Sequence, residues 1–256
     1  MIFDTHAHYD DEAFDEDREA LLGSMQAGGV GRIVNVGANR KTSAITVDLT
    51  KQYDFVYGAV GVHPNDVSTM TDSDIRQLKE WSELEKIVAI GEIGLDYHYE
   101  EPSRELQFRW FEAQMELARQ MKLPIIVHSR DAAKDTVDIM KSLRAGEIGG
   151  VIHCYSYTKE LAREFLDMDY YFGIGGVLTF PNARKLKEAV EYIPLDKIVL
   201  ETDCPYLAPV PYRGKRNSSL NIPYVVETLA QIKGINEDEV ERITFENAMK
   251  LYRMKE

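Results

Sequence analysis

Short apolar, β-branched runs alternate along the chain with longer stretches in which apolar residues recur every three or four positions. The runs are Ile2-Phe3, Arg32 to Val36, Phe55 to Val60, Ile87 to Ile90, Ile125 to Val127, Val151-Ile152, Tyr170 to Phe172 and Ile198 to Leu200, which makes eight strand-sized segments. Between them, Phe108, Phe111, Met115 and Ala118 mark the apolar stripe of a helix, and Asp72 to Glu85 reads as a solvated helical face. Pro102 precedes one long helix, and Asp131, just after a strand, stands where it could cap another that runs to Leu143. Apolar strands separated by helices predict a parallel sheet covered by helices.

A closed (β/α)8 barrel is favoured over an open doubly wound sheet, because polar residues follow so many different strands. An open sheet gathers its ligands at one switch point instead. The 256 residues match the ~250 typical of a one-domain barrel. No low-complexity tract, Pro/Ser-rich linker or block of one charge interrupts them, so a single domain over residues 1–256 is expected.

The longest apolar runs, such as Leu123 to Val127, fall far short of the ~20 residues of a membrane span. The opening Met1-Ile2-Phe3-Asp4 lacks the basic-then-apolar order of a secretory signal. Two cysteines, Cys154 and Cys204, suit a reducing compartment and read as small buried neighbours of functional residues rather than as thiolate ligands. A cytoplasmic protein without membrane contact or an obligate protein partner is the expectation. Its 43 acidic against 30 basic residues leave a net charge of −13, which argues against tight, nonspecific duplex binding. Nucleic acid remains possible as a substrate where bound cations and a local basic patch reverse the sign.

Five of the six histidines fall at strand ends: His6 and His8, His63, His128 and His153. Glu92 and Asp203 hold the equivalent positions after the fourth and eighth strands. In a barrel such positions converge on one face. The period-two spacing of His6-Ala7-His8 sends both imidazoles to the same side of an extended chain. Six ligands of imidazole and carboxylate type point to two divalent ions, with magnesium, manganese and zinc all compatible. Glu92 is the natural bridge, as the carboxylate of a middle strand with two oxygens to share. His6, His8 and Asp203 would complete one metal and His128 and His153 the other.

Glu201, two residues before Asp203, faces the same way and is either an auxiliary ligand or a buried hydrogen-bonded acid. His63 is expected to touch substrate or support the ligands, and His98 to lie at the surface. In the Pro-rich loop after the last strand, Tyr206 and Tyr212 precede Arg213, Lys215 and Arg216. Cationic forks and aromatic faces are what a single strand needs for phosphate contact and base stacking. Tyr206, Arg213 and Arg216 therefore join His63 as candidate substrate contacts.

The stretches Asp4-Thr5-His6-Ala7-His8, Gly61-Val62-His63-Pro64, Gly91 to Tyr97, Pro124 to Ala132, His153-Cys154-Tyr155-Ser156 and Glu201 to Pro209, together with Asn247-Ala248, closely resemble the TatD family of metal-dependent deoxyribonucleases. The resemblance implies a TIM barrel, hydrolysis of DNA phosphodiesters at accessible ends or single-stranded stretches, and divalent metals such as magnesium or manganese. It also implies the ligand roles given above, with Asp203 as the base that takes the proton of the attacking water and Glu92 beside it as a catalytic carboxylate. Two places depart from the family pattern. Ser218-Ser219 stands where Glu-Pro is usual, and Pro181 precedes Asn182 where a lysine is common.

Two rivals carry weight. An ester hydrolase or aminoacyl-tRNA deacylase would use the same ligands, and the acidic surface favours it, whereas the loop from Tyr206 to Arg216 favours the nuclease. A catalytically idle metal-binding protein is the other rival, against which the full ligand set argues. A bridge of carboxylated lysine is not needed where Glu92 fills that role.

Overall fold

In the computed structural model, which describes residues 1–255, eight strands lie in one sheet in chain order. They are β1 (Ile2–Ala7), β2 (Val30–Val36), β3 (Val56–Val60), β4 (Ile87–Asp96), β5 (Ile125–Arg130), β6 (Gly150–Ile152), β7 (Tyr171–Ile174) and β8 (Ile198–Leu200). The helices are α1 (Arg18–Ser24), α2 (Arg40–Gln52), α3 (Asp72–Ser82), α4 (Arg104–Met121), α5 (Ala133–Ser142), α6 (Lys159–Leu166), α7 (Arg184–Tyr192), α8 (Ile222–Lys233) and α9 (Glu237–Leu251). Past β8 the chain returns to the first strand: Ala7 bridges Cys204 in parallel, and the His8 N–H donates to the Cys204 carbonyl at 2.9 Å. The result is the (β/α)8 barrel fold that the alternation predicts. Among the described residues, no helix is long and apolar enough to cross a membrane.

All eight expected strands occur, but β4 does not stop at Ile90. It runs on through Gly91, Glu92 and Gly94 to Asp96, so Glu92 lies inside a strand rather than after one. The reason is the close approach of β5: Gly94 pairs with His128 and Asp96 with Arg130, and a Cβ on Gly94 would lie 1.9 Å from the His128 carbonyl oxygen. These glycines serve strand packing, not a loop. Asp131 does not cap α5. Its backbone turns into the left-handed region at φ 54°, and Ala132 takes the cap position without a side-chain bond. Phe108 is only half-buried, and the inner face of α4 is built by Gln107, Trp110, Phe111, Gln114, Met115, Leu117 and Ala118.

Backbone contacts group into two units. One comprises residues 1–35, 154–163 and the chain from Tyr171 onward. Here β1, buried along its whole length, pairs with β2, and β7 pairs with β8. Helix α9 packs on β1 and β8. Phe3 meets Phe245 and Tyr252 at ring-centroid distances of 5.6 and 6.0 Å, and the Tyr252 hydroxyl donates to the Thr5 carbonyl. Asn247 donates from one amide nitrogen to the carbonyls of Leu195 and Ile198, both at 2.8 Å, tying α9 to the start of β8.

The other unit comprises residues 36–153 and 164–170, with β3 to β6 pairing in parallel. Helix α2 starts at a reciprocal cap. Asn39 Oδ1 accepts from the Thr42 N–H, and Thr42 Oγ1 accepts from the Asn39 N–H. Two glutamines of α4, seven residues apart and so on one helical face, clamp the strand exits. The Gln114 amide accepts from the Val62 N–H and donates to the Val62 carbonyl at 2.7 and 3.0 Å. Gln107 does the same for Asp96, at 2.9 Å in both directions. Each clamp satisfies buried backbone groups that a strand end would leave unpaired.

Candidate metal centre

His6 lies on β1 and His8 just beyond it, with one residue between them, and the pleat turns both rings to one side as the spacing predicts. Their Nε2 atoms are 3.0 Å apart. Asp203 follows β8, and its Oδ1 stands 3.3 Å from His8 Nε2 and 3.7 Å from His6 Nε2. The Asp203 N–H donates to the His6 carbonyl at 2.9 Å, so the first and last strands set the spacing of this triad through their own ladder. Asp203 adopts a left-handed backbone with φ 57°. For a residue with a side chain that conformation costs ~1–3 kcal/mol, and such costs concentrate at functional sites.

Beneath this triad Asp4 acts as a four-way acceptor. Its Oδ1 takes the N–H groups of His6 and Thr202 at 3.2 and 3.1 Å, and its Oδ2 takes the hydroxyls of Thr202 and Ser219 at 2.7 and 2.6 Å. Burial raises its carboxyl to about 7, against the lowering effect of these donors. Ser219, where the family pattern has proline, thus contributes a donor that proline lacks. Glu201 is buried, and its Oε1 accepts the Cys154 N–H at 2.6 Å, which supports the left-handed turn of Cys154 (φ 46°) directly after His153. This contact fits the buried, hydrogen-bonded acid expected of Glu201, and the auxiliary-ligand role stays open, since a Glu201 oxygen also lies within 4.8 Å of a His6 ring nitrogen.

In the second unit the donors gather around Glu92. Its Oε1 lies 2.7 Å from His128 Nδ1, 2.8 Å from His153 Nε2 and 3.6 Å from His63 Nε2. His128 Nδ1 and His153 Nε2 are 3.3 Å apart. Burial acts to raise the Glu92 carboxyl, but the charges of His153 and His63 and the hydrogen bonds of His128 and His153 outweigh it and hold the group well below the usual carboxylate range. His63 is pushed down to about 3, by burial first and then by the charge of His128. Burial acts to lower His128, and the hydrogen bonds to Asp96 and Glu92 overcome it, so His128 is raised.

Donors bound to one divalent ion at ~2.0–2.2 Å stand ~3–3.5 Å from one another in tetrahedral or octahedral arrangement. The nitrogen and oxygen spacings in both groups fall close to that range, and imidazole with carboxylate is a donor set for zinc or manganese. The residues present therefore fit divalent metal. Neither cysteine belongs to a ligand cluster among the described residues.

The rim residues differ from one another. Tyr206 is 55% exposed, and its hydroxyl donates to Asp11. The exposed Arg213 guanidinium stacks over Phe180 at 4.4 Å. Arg216 is tied down: Nη1 donates to Asp17 Oδ1 and the Ala13 carbonyl, and Nη2 to Asp17 Oδ2. The structure thus gives Arg216 an anchoring contact where a phosphate contact is expected, because Asp17 already fills its fork. His98 sits at the surface, 3.6 Å from Asp131.

Two positions with no assigned role in the motifs matter here. Asp96 Oδ2 lies 3.2 Å from His128 Nε2, and Asn65 donates to the same oxygen at 3.2 Å. A signal for Asp96 exists in the strand, since Glu92, Gly94 and Asp96 share one face by the period of two. No comparable signal marks Asn65, which lies in a short helical turn after His63.

Residues 3–253 match the family described as TatD related DNase. The uncharacterized metal-dependent hydrolase YabD of Bacillus subtilis is 45% identical over 254 residues, spanning 99% of this chain and 100% of the relative. YcfH of Escherichia coli K12, with the same description, is 34% identical and spans 98% and 96%. Among solved structures, YjjV, a TatD homolog from Escherichia coli K12, aligns with a TM-score of 0.93 at 30% identity over 99% of this chain and 98% of its own. A TatD family hydrolase from Entamoeba histolytica aligns at 0.89 with 23% identity, over 98% and 97%, a likeness of fold.

Proposed function

Since this chain belongs to the TatD-related DNase family and is a metal-dependent hydrolase, we propose that its substrate is the phosphodiester bond of DNA, cleaved at accessible ends or single-stranded stretches. The observations that carry this reading are a group of nitrogen and carboxylate donors in each unit, and an exposed guanidinium and exposed tyrosines in the loop that follows Asp203. His6, His8 and Asp203 would hold one divalent ion, and Glu92, His128 and His153 another. When bound, such ions lower the pKa of water and neutralise charge that develops on phosphate oxygens.

The chain's own residues supply the rest. Asp203 has its Oδ1 beside His8 and keeps 18% of its side chain exposed, so it can take a proton from an attacking water and pass it to solvent. Arg213 presents a cation for phosphate, and Tyr206 and Tyr212, both exposed, present faces for unpaired bases. The two cysteines, Cys154 and Cys204, fit a reducing compartment, and we place the activity in the cytoplasm.

An ester or aminoacyl ester is the second reading. It is favoured by the net charge of −13 and by the neutralisation of Arg216 by Asp17. The deciding experiment strips metal, restores magnesium, manganese or zinc singly, and follows labelled single-stranded DNA, duplex DNA, RNA and an aryl ester side by side. Metal-restored release of nucleotides from DNA is expected. Turnover of the ester with intact DNA would replace this reading with the second.

A further inference from the structure

His63 and His128 are neighbours, with ring centroids 4.3 Å apart and planes at 67°, and both turn one nitrogen toward the same Glu92 oxygen. They turn different nitrogens: His63 presents Nε2 and His128 presents Nδ1. What each ring offers depends on where its proton sits, and that is set by the partner of the outward nitrogen.

For His128 the outward Nε2 lies 3.2 Å from Asp96 Oδ2, an acceptor. Asp96 is buried and fixed in place by three donors: Asn65 Nδ2 at 3.2 Å to Oδ2, the His98 N–H at 2.8 Å to Oδ1, and Gln107 Nε2 at 2.9 Å to its carbonyl. Nδ1 also faces a carboxylate oxygen, Glu92 Oε1 at 2.7 Å, so both nitrogens can carry a proton while no ion is bound; with an ion on the Nδ1 side, the Asp96 carboxylate would keep the proton on Nε2 and leave the Nδ1 lone pair to the ion. For His63 the outward Nδ1 accepts the Asn65 N–H at 3.1 Å. A backbone amide is a donor only, so the proton of a neutral His63 must again be on Nε2, which is here the inward atom.

We infer that the segment from His63 to Asn65, acting with Asp96, sorts these two histidines into opposite roles: His128 turns a lone pair inward as a metal ligand, and His63 turns an N–H inward as a hydrogen-bond donor to an anionic oxygen of the substrate. Spacing alone would admit His63 as a third ligand with Glu92 and His128. The amide of Asn65 removes that option. Asp96 is a positioning residue that acts through His128, and Asn65 links both rings, through its backbone to one and its side chain to the carboxylate behind the other. The inference rests on the proposed ligand role of His128 and adds the class of group that His63 would meet, an oxyanion.

Nuclear magnetic resonance on histidine-15N protein, assigned through the backbone, tests this without any variant having to fold. Spectra are taken before and after saturation with zinc, a diamagnetic ion. The expected result is Nε2-protonated tautomers for both rings in the zinc-loaded protein, a zinc-induced shift at His128 Nδ1 and none of that size at His63. An Nδ1-protonated His63, or zinc ligation at its Nε2, overturns the donor role and leaves the other ligands standing. No zinc response at His128 overturns the ligand assignment itself, and the sorting with it. Asp96→Asn, which keeps shape and loses charge, should weaken zinc binding by roughly tenfold or more, within the ~10–100-fold usual for partners behind a ligand. Unchanged affinity would overturn the positioning role.

Discussion

Arg216 grips Asp17 with both arms, Nη1 at 2.8 Å from Oδ1 and Nη2 at 2.5 Å from Oδ2, across 199 residues of sequence. The guanidinium also lies 5.0 Å from the centre of the Phe14 ring. This pair fastens the basic loop after β8 to the segment that follows β1, and it holds the Asp17 carboxyl below the usual range. Removing the acid alone should free a cation beside the proposed substrate path. Asp17→Asn is expected to strengthen single-stranded DNA binding at low salt and to steepen the salt dependence by up to ~0.7 in log–log slope, the increment for one more phosphate contact. Fluorescence anisotropy over a salt series checks this, and an unchanged slope would leave Arg216 as an anchor alone.

Among the described residues Arg213 has no such clamp, and it stacks on Phe180. Arg213→Ala should therefore weaken DNA binding and flatten the salt dependence, while an aryl ester is turned over at the parent rate. Parallel assays on the two substrates make the comparison. Equal losses on both would show that the stack on Phe180 shapes the site rather than the substrate path.

Asp203→Asn separates a proton acceptor from a ligand. It preserves an oxygen near His8 Nε2 but removes charge and basicity, and turnover should fall by ~10²–10⁴-fold. Saturating metal restores occupancy of the His6, His8 and Asp203 triad, yet it supplies no base. Turnover that returns to the parent level under saturation would assign Asp203 to binding only.

Gly94→Ala tests how closely β4 and β5 must approach. The added methyl would lie 1.9 Å from the His128 carbonyl oxygen, in a backbone at φ 149° that side chains rarely adopt. A loss at or above the ~1–3 kcal/mol typical of overpacking is expected, together with weaker zinc binding as His128 moves. Gly149→Ala is the control: nothing lies within 4 Å of an added Cβ there, at φ 78°, and only the ~1–2 kcal/mol of a left-handed backbone should be lost. Denaturant melts and zinc competition measure both variants, and similar losses in the two would mean that contact with β5 does not matter.

What the sequence determined by itself is what repeats along it or depends on local spacing. Eight apolar runs at barrel spacing carry the fold, because a strand buried on both faces has little freedom in its composition. His6 and His8 converge because a period of two is a property of any extended chain, and His128, His153 and Asp203 are legible as candidate ligands because the ends of parallel strands face one way, whereas Glu92 lies inside β4. Only the tertiary structure decided what each polar atom meets. It continued β4 to Asp96, since that needs a bare glycine against β5. It drew Arg216 onto Asp17 and Ser219 onto Asp4, partners about two hundred residues away. It also chose between the two nitrogens of His63 and His128, a choice made by Asn65 and Asp96. Ring tautomers and ion pairs depend on distances of a few tenths of an ångström between segments remote in sequence, and no local pattern encodes such distances.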